Sequence, residues 1–247
     1  MEGPERALRI TPDMLLGRRL DFERRMRRIP PATVGILLVL IAVFAIEATT
    51  GALDSRQGVI RAGALTREGV VAGEWWRLIS AVFLHGGVDH LVGNAIALLV
   101  LGMMCEHAFG RVQFLFLFVV SGLAGSVLSM LMSAGPSVGA SGAIFGLQGA
   151  AIVLFRRHRD RLLMRARRIG LVLGVWALYT IVQGALTPFV DNGAHIGGFI
   201  GGVLLARGLH PVVLDLPSDD VKARIRRAGW LTAAILTAGA LGWLVRR

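Results

Sequence analysis

The chain has 247 residues, of which 54% are hydrophobic and only 17% charged. A soluble domain of this length carries more charge, and long uncharged runs point to membrane spans. The formal net charge of +11 comes from basic residues clustered between apolar runs, with no aromatic-interleaved basic face, which argues against nucleic acid as a partner. Cys105 is the single cysteine, so there is no intramolecular disulfide and no cysteine metal cluster; it reads as packing.

Residues 1–32 form a polar, arginine-rich arm that ends at Pro30-Pro31, and its charge is expected to keep it in the cytoplasm. The first apolar run is 33–49. No small-x-small cleavage site follows Ile46, so it reads as an uncleaved span and not as a secretory leader. Residues 51–88 are too polar to span. Val59-Ile60, Val70-Val71, Trp75-Trp76 and Leu78-Ile79 nevertheless give this stretch apolar faces, as in short interfacial helices with tryptophans at headgroup level.

Further spans are expected over about 89–107, 112–132, 141–155, 169–186 and 194–205, with a seventh over 230–245. Gly110-Arg111 and Asp191-Asn-Gly193 mark turns, and Ser133–Ala140 is a loop by its Gly, Pro and Ser content. The expected organisation is therefore all-α and polytopic: the arm, a six-helix core over 33–206, a polar linker over 207–228 and a seventh helix over 229–247. The arm, the Gly110-Arg111 turn, the seven arginines between 156 and 168 and the Arg224–Arg227 stretch fall on one side. By the positive-inside rule the amino terminus is inside and the carboxyl terminus outside.

With that topology the second, fourth and sixth spans start at the outer face, and each opens on polar groups. His90 and Asn94 open the second, Ser141 the fourth and His195 the sixth. Polar groups within a bilayer are costly and mark function by default. The fourth run of about fifteen residues reaches roughly 22 Å, against a hydrocarbon core of roughly 30 Å. Ser141 therefore sits below the outer surface, at the floor of a wet cavity.

The chemistry that fits is nucleophilic, with Ser141 activated by His195 as base. Gly139 and Gly142 flank the serine with small residues. Gly198 and Gly202 can bring the sixth helix close to the Gly142, Gly146 and Gly149 face of the fourth, carrying the imidazole toward Ser141. Runs of small residues also serve plain helix packing, and here packing is what makes the dyad possible. His90 and Asn94, four apart on one helix face, suit an oxyanion hole together with the Ser141 backbone N–H. No carboxylate placed to orient His195 is evident, since Asp191 lies in the turn before it and Glu106 at the far end of its helix. The pattern is a dyad, with neither a G-x-S-x-G elbow nor an H-E-x-x-H zinc pair.

Four ordered motifs, Glu74-Trp-Trp-Arg77, His85-Gly-Gly-Val-Asp-His90-Leu-Val-Gly-Asn94, Gly139-Ala-Ser-Gly142 and Ala194-His-Ile-Gly-Gly198, resemble the rhomboid family of intramembrane serine proteases over about residues 57–205. The resemblance implies a six-helix core with Ser141 as nucleophile, His195 as base, and His90 and Asn94 at the oxyanion. It also implies a membrane-dipping first loop holding Trp76-Arg77, and a helix-end polar network holding Glu106. Phe145 stands where members often carry tyrosine, so it can pack under His195 without a phenol hydrogen bond. The seventh span gives a six-plus-one arrangement. The implied activity needs no metal or organic cofactor and acts on single-span or polytopic membrane proteins. The implied location is a bacterial-type cell membrane. Small residues around Ser141 suggest a small side chain on the acyl side of the cut. Two other classes share these features: a catalytically inactive, client-binding relative, and a solute channel lined by His and Asn. The channel lacks a charged path to the inner face, and client binding needs neither Ser141 nor His195.

Overall fold

The computed structural model describes residues 26, 28–133, 135–161, 164–187 and 190–245, without the side chains of 164–167. Nearly all of the basic arm lies outside the described residues. Helix α1 (Pro31–Thr49) starts on a proline, which fits a first turn where no intrahelical N–H bond is lost. Its free N–H groups are capped from another helix: Ala32 N–H and Thr33 N–H donate to the Glu106 carboxylate at 3.0 and 2.7 Å, and Thr33 Oγ1 donates at 2.8 Å. Glu106 is thus the centre of a helix-end polar network, at the end of α5 (Val88–Phe109).

Between α1 and α5 the chain forms a 3-10 turn (Ala52–Asp54) and three short α-helices, α2 (Arg56–Ala62), α3 (Arg67–Val71) and α4 (Arg77–Ser80). Ser55 and Thr66 cap the first two by accepting from the Gly58 and Gly69 N–H groups. Arg77 knits the segment together. Its Nε donates to Glu74 at 2.6 Å and its Nη1 to the Ile60 and Ala64 carbonyls at 2.6 and 2.9 Å, with only 7% of the residue exposed. The tryptophans do not share a headgroup position. Trp75 is 47% exposed, but Trp76 is buried under the Arg77 guanidinium and against the last helix.

The bundle continues through α6 (Arg111–Met132), α7 (Ser141–Arg157), α8 (Met164–Leu186), α9 (Asn192–Ala206) and α10 (Asp219–Val245). α10 begins at Asp219, so the second half of the expected polar linker is helical and continuous with the last span. Among the described residues five helices are long and apolar enough to cross a membrane: α1, α5, α6, α8 from Arg168 onward, and α10. Their outer faces carry exposed Leu38, Ile96, Leu178 and Leu241, as lipid-facing surfaces do. The other two, α7 and α9, have 17 and 15 residues, or roughly 26 and 22 Å at 1.5 Å per residue, short of a hydrocarbon core of roughly 30 Å.

These two short helices sit at the centre. α9 packs mainly against α7 and α6, backbone to backbone. A Cβ built at Gly198 would lie 1.9 Å from the Gly142 carbonyl oxygen, and one at Gly202 would lie 1.9 Å from that of Gly146. The successive pairs 142–198 and 146–202 show that α7 and α9 run parallel in one register. α6 closes the third side, where Cβ atoms at Gly125 and Gly197 would strike the Ala194 and Ala124 carbonyl oxygens. α10 packs on α6 and α4 from outside, and Trp243 Nε1 donates to the Ala62 carbonyl at 3.1 Å.

Candidate active site

The parallel register sets the N-termini of α7 and α9 at one end, away from Arg156 and Arg157, and α5 runs the same way, with His90 and Asn94 against Gly139 and Cys105 Sγ bonded to the Leu147 carbonyl. A cavity of about 730 Å³ opens there, and Ser141, His195, His90 and Asn94 all line it. Gly142 of α7 abuts the Ala194 carbonyl and Gly198 of α9, which levels the neighbouring residues Ser141 and His195. Phe145, one turn after Ser141, stacks on the His195 ring with centroids 4.3 Å apart and planes 10° from parallel. Among the described residues no hydrogen bond joins Ser141 to His195. They share the cavity wall, and Phe145 bridges them by packing.

The loop before Ser141 is held from two sides. Ser137 and Leu65 exchange backbone hydrogen bonds of 2.9 and 3.0 Å, an isolated antiparallel bridge to the segment after α2. Gly139 N–H donates to the Ala81 carbonyl at 2.8 Å. Gly139 has φ +124°, and a Cβ there would lie 2.6 Å from His90 Cε1 and 3.5 Å from Asn94 Nδ2. Only glycine fits such a backbone and so close an approach. The strand of loop entering Ser141 thus lies directly on the His90 ring and the Asn94 amide. Asn94 is 6% exposed, and its Nδ2 has no hydrogen-bond partner. A buried donor without a partner calls for an explanation, and this one faces the serine loop. Deeper in the cavity, Gln148 Nε2 donates to the Leu173 carbonyl at 3.0 Å, joining α7 to α8.

Two residues outside the sequence-derived set contribute. Asp191 is more than a turn residue. Its carboxylate caps α9 by accepting from Ala194 N–H at 3.0 Å, and it also accepts from Ser133 Oγ at 2.8 Å and from Ser129 Oγ. Burial alone would raise its pKa, but the hydrogen bonds from Ser129, Ser137, Ala194 N–H and Ser133 outweigh burial and hold it below the ordinary value. It pins the start of α9, and so His195, to the end of α6. An aspartate immediately before a helix is the signal that could have found it. His85 is the other. It is fully buried, its ring 5.2 Å from that of His90 and edge-on at 62°, with neither ring nitrogen partnered. Its backbone N–H donates to Glu47 Oε2 of α1 at 3.1 Å. Burial, with a further push from His90, lowers its pKa to about 4. Among the described residues no group of His, Cys, Asp or Glu side chains is arranged to hold a metal ion.

Residues 72–212 match the family model of the Rhomboid domain. The chain is 34% identical to Rhomboid protease GluP of Bacillus subtilis over 85% of its own length and 39% of that protein's. It is 42% identical to RHOMBOID-like protein 5 of Arabidopsis thaliana over 58% of its length and 47% of that protein's. Identity to Rhomboid protease AarA of Providencia stuartii is 31%, covering 70% of each chain. The chain thus spans less than half the length of the first two and most of the third. The matched segment contains the whole cavity-lining set of α5, α7 and α9, and the five apolar helices belong to a multi-pass integral membrane protein. On these grounds the chain belongs to the rhomboid family.

Proposed function

We propose that the protein is an intramembrane serine endopeptidase that cleaves transmembrane segments of membrane proteins near the outer face. The observation that carries this reading is the gathering of Ser141, His195, His90 and Asn94 on one cavity at the N-terminal ends of three parallel helices. A substrate segment, partly unwound near its outer end, presents a peptide carbonyl to Ser141. The serine oxygen bonds to the carbonyl carbon while His195 takes the hydroxyl proton. The negative charge on the former carbonyl oxygen is met by the Ser141 N–H, the free Asn94 Nδ2 and His90, aided by the positive end of α7. Collapse breaks the C–N bond as His195 hands its proton to the leaving amine, leaving an acyl-enzyme. His195 then removes a proton from water, whose oxygen attacks the ester carbonyl, and returns that proton to Ser141 as the ester breaks.

Phe145 holds the imidazole plane by stacking, and Asp191 holds the helix that carries it. No carboxylate is hydrogen-bonded to the ring among the described residues, and His195 Nδ1 is buried without a partner, which fits a dyad. The test is cleavage of a single-span substrate by the purified full chain in liposomes, with Ser141→Ala and His195→Ala alongside and a chelator in a parallel reaction. Cleavage that survives chelator and disappears in both variants is expected. Cleavage persisting in Ser141→Ala would overturn the assignment, and folded wild type that cuts nothing would favour client binding.

A further inference from the structure

At the opposite, arginine-rich end of the bundle lies a second cavity of about 310 Å³. It is a cleft between the start of α6, the end of α9 with the segment after it, and the first turns of α10. Its walls are fixed by backbone and side-chain bonds. Gln113 Nε2 donates to the His210 carbonyl at 2.8 Å, His210 N–H donates to Gln113 Oε1 at 2.9 Å, and Val213 N–H donates to the Ala108 carbonyl at 3.2 Å. Its lining combines the polar Arg224, Arg227 and His210 with apolar walls that include Phe116, Leu205 and the half-exposed Leu231. Arg224 and Arg227, three apart, project from one face of α10.

The charge of this lining is not cancelled locally. Asp215 is paired with Arg161 at 2.6 Å and Asp219 with Lys222 at 2.9 Å, whereas Arg224 and Arg227 make no ion pair among the described residues. Depth along α10 is marked by Trp230, 78% exposed, at the junction between the charged first turns of α10 and its apolar remainder. A tryptophan so placed sits at the headgroup level of a bilayer. The cleft therefore presents two free guanidinium groups at the interface and apolar walls at the level of the acyl chains.

We propose that this cleft binds an anionic phospholipid, its phosphate held by Arg224 and Arg227 beside His210 and its acyl chains lying along Phe116, Leu205 and Leu231. Basic clefts between membrane helices take anionic headgroups in this way. A soluble phosphate ester would use the polar groups and leave the apolar walls unmatched, so the occupant is the lipid and not its headgroup alone. Because α10 is one wall and α6 and α9 the others, the lipid also ties the last helix to the core.

The test uses the full chain in nanodiscs of equal phosphatidylglycerol and phosphatidylcholine, followed by native mass spectrometry of lipid retained after release. Wild type is expected to retain phosphatidylglycerol over phosphatidylcholine by about tenfold. Arg224→Gln/Arg227→Gln is expected to abolish the preference, and Arg224→Lys/Arg227→Lys to keep most of it. Arg226→Gln, on a different face of α10 and outside the cleft lining, is expected to leave it unchanged. Equal retention of both lipids by wild type, or a preference that survives the double glutamine variant, would overturn the proposal. So would loss of the preference in Arg226→Gln to the same degree, which would indicate general surface charge. Displacement of the retained lipid by millimolar glycerol phosphate would show that the site reads a headgroup alone, and would also overturn it.

Discussion

Asn94 places a buried amide donor with no partner against the loop that leads into Ser141. In the resting protein such a donor stabilises nothing, and its desolvation is a cost. In the proposed reaction it gains a partner only when the carbonyl oxygen becomes an anion. Stability and catalysis should therefore separate in Asn94→Ala. The expected kcat falls about 100-fold, as for loss of one oxyanion donor, with KM little changed and with thermal stability equal to or above wild type. Kinetics in liposomes beside an unfolding curve checks both halves. A variant that loses stability in step with activity would reduce Asn94 to a structural residue.

His85 behaves differently, because its cost depends on pH. Burial keeps the folded ring neutral down to about 4, from an ordinary 6.5. The unfolded chain therefore takes up a proton near pH 6.5 that the folded protein refuses until about pH 4. The stability tied to a neutral His85 is complete above pH 6.5 and is lost as pH falls from there to about 4, by at most about 3 kcal/mol. Thermal unfolding in detergent at pH 7.5 and pH 5 should show this slope in wild type and a smaller one in His85→Gln. An equal slope in both proteins would assign the acid sensitivity to other groups.

At the scale of helices, the decisive contact is the glycine seam between α7 and α9. A methyl at Gly202 would fall 1.9 Å from the Gly146 carbonyl oxygen, whereas one at Gly174 on α8 meets nothing within 4 Å. Gly202→Ala is therefore expected to push the helices apart and cost about 1–3 kcal/mol, as overpacking does. That corresponds to a melting temperature roughly 2–12 °C lower, with reduced cleavage because Ser141 and His195 ride on these two helices. Gly174→Ala should stay within about 1 kcal/mol of wild type. Unfolding and cleavage of the pair together provide the check.

The glycine seam was legible in the sequence, because spacing of four along two short apolar runs is a one-dimensional signal. So was the grouping of His90, Asn94, Ser141 and His195 at one end, since charge between spans orders their ends. Asp191 was not legible as a hub, because its Ser129 and Ser133 partners come from a helix end and loop far back in the chain. His85 was not legible as a buried residue, because nothing local says which histidine of a polar loop turns inward against α1. The tryptophans misled for a related reason. Adjacent residues in the turn before α4 face different ways, and α10 covers one of them. The start of α10 at Asp219 was missed because its first turns are charged, and charged residues carry helical structure without apolar periodicity.

At the scale of the molecule, five of the described helices are long and apolar enough to cross a bilayer, and the lengths of the short α7 and α9 at the centre decide how deep the proposed chemistry can lie. Being shorter than the hydrocarbon core, they cannot reach both interfaces while their arginine-bearing ends stay at one of them. The cavity end must then sit below the other interface, where polar side chains survive only beside protein and water. The basic turns set which interface is which: Arg111 begins α6, Arg156 and Arg157 end α7, and Arg224–Arg227 lie in the first turns of α10. On the positive-inside rule we propose that these lie in the cytoplasm and the cavity toward the outside. Reporter fusions test the whole arrangement at once. Alkaline phosphatase joined after Arg247 or inserted at Gly135 should be active, and inserted at Asp160 inactive, with green fluorescent protein giving the opposite pattern. If the Asp160 and Gly135 insertions exchanged behaviour, the bundle would be inverted and the proposed cut would fall on the cytoplasmic side. If only the Arg247 fusion disagreed, α10 would lie against the core without crossing, and the cavity would keep its side.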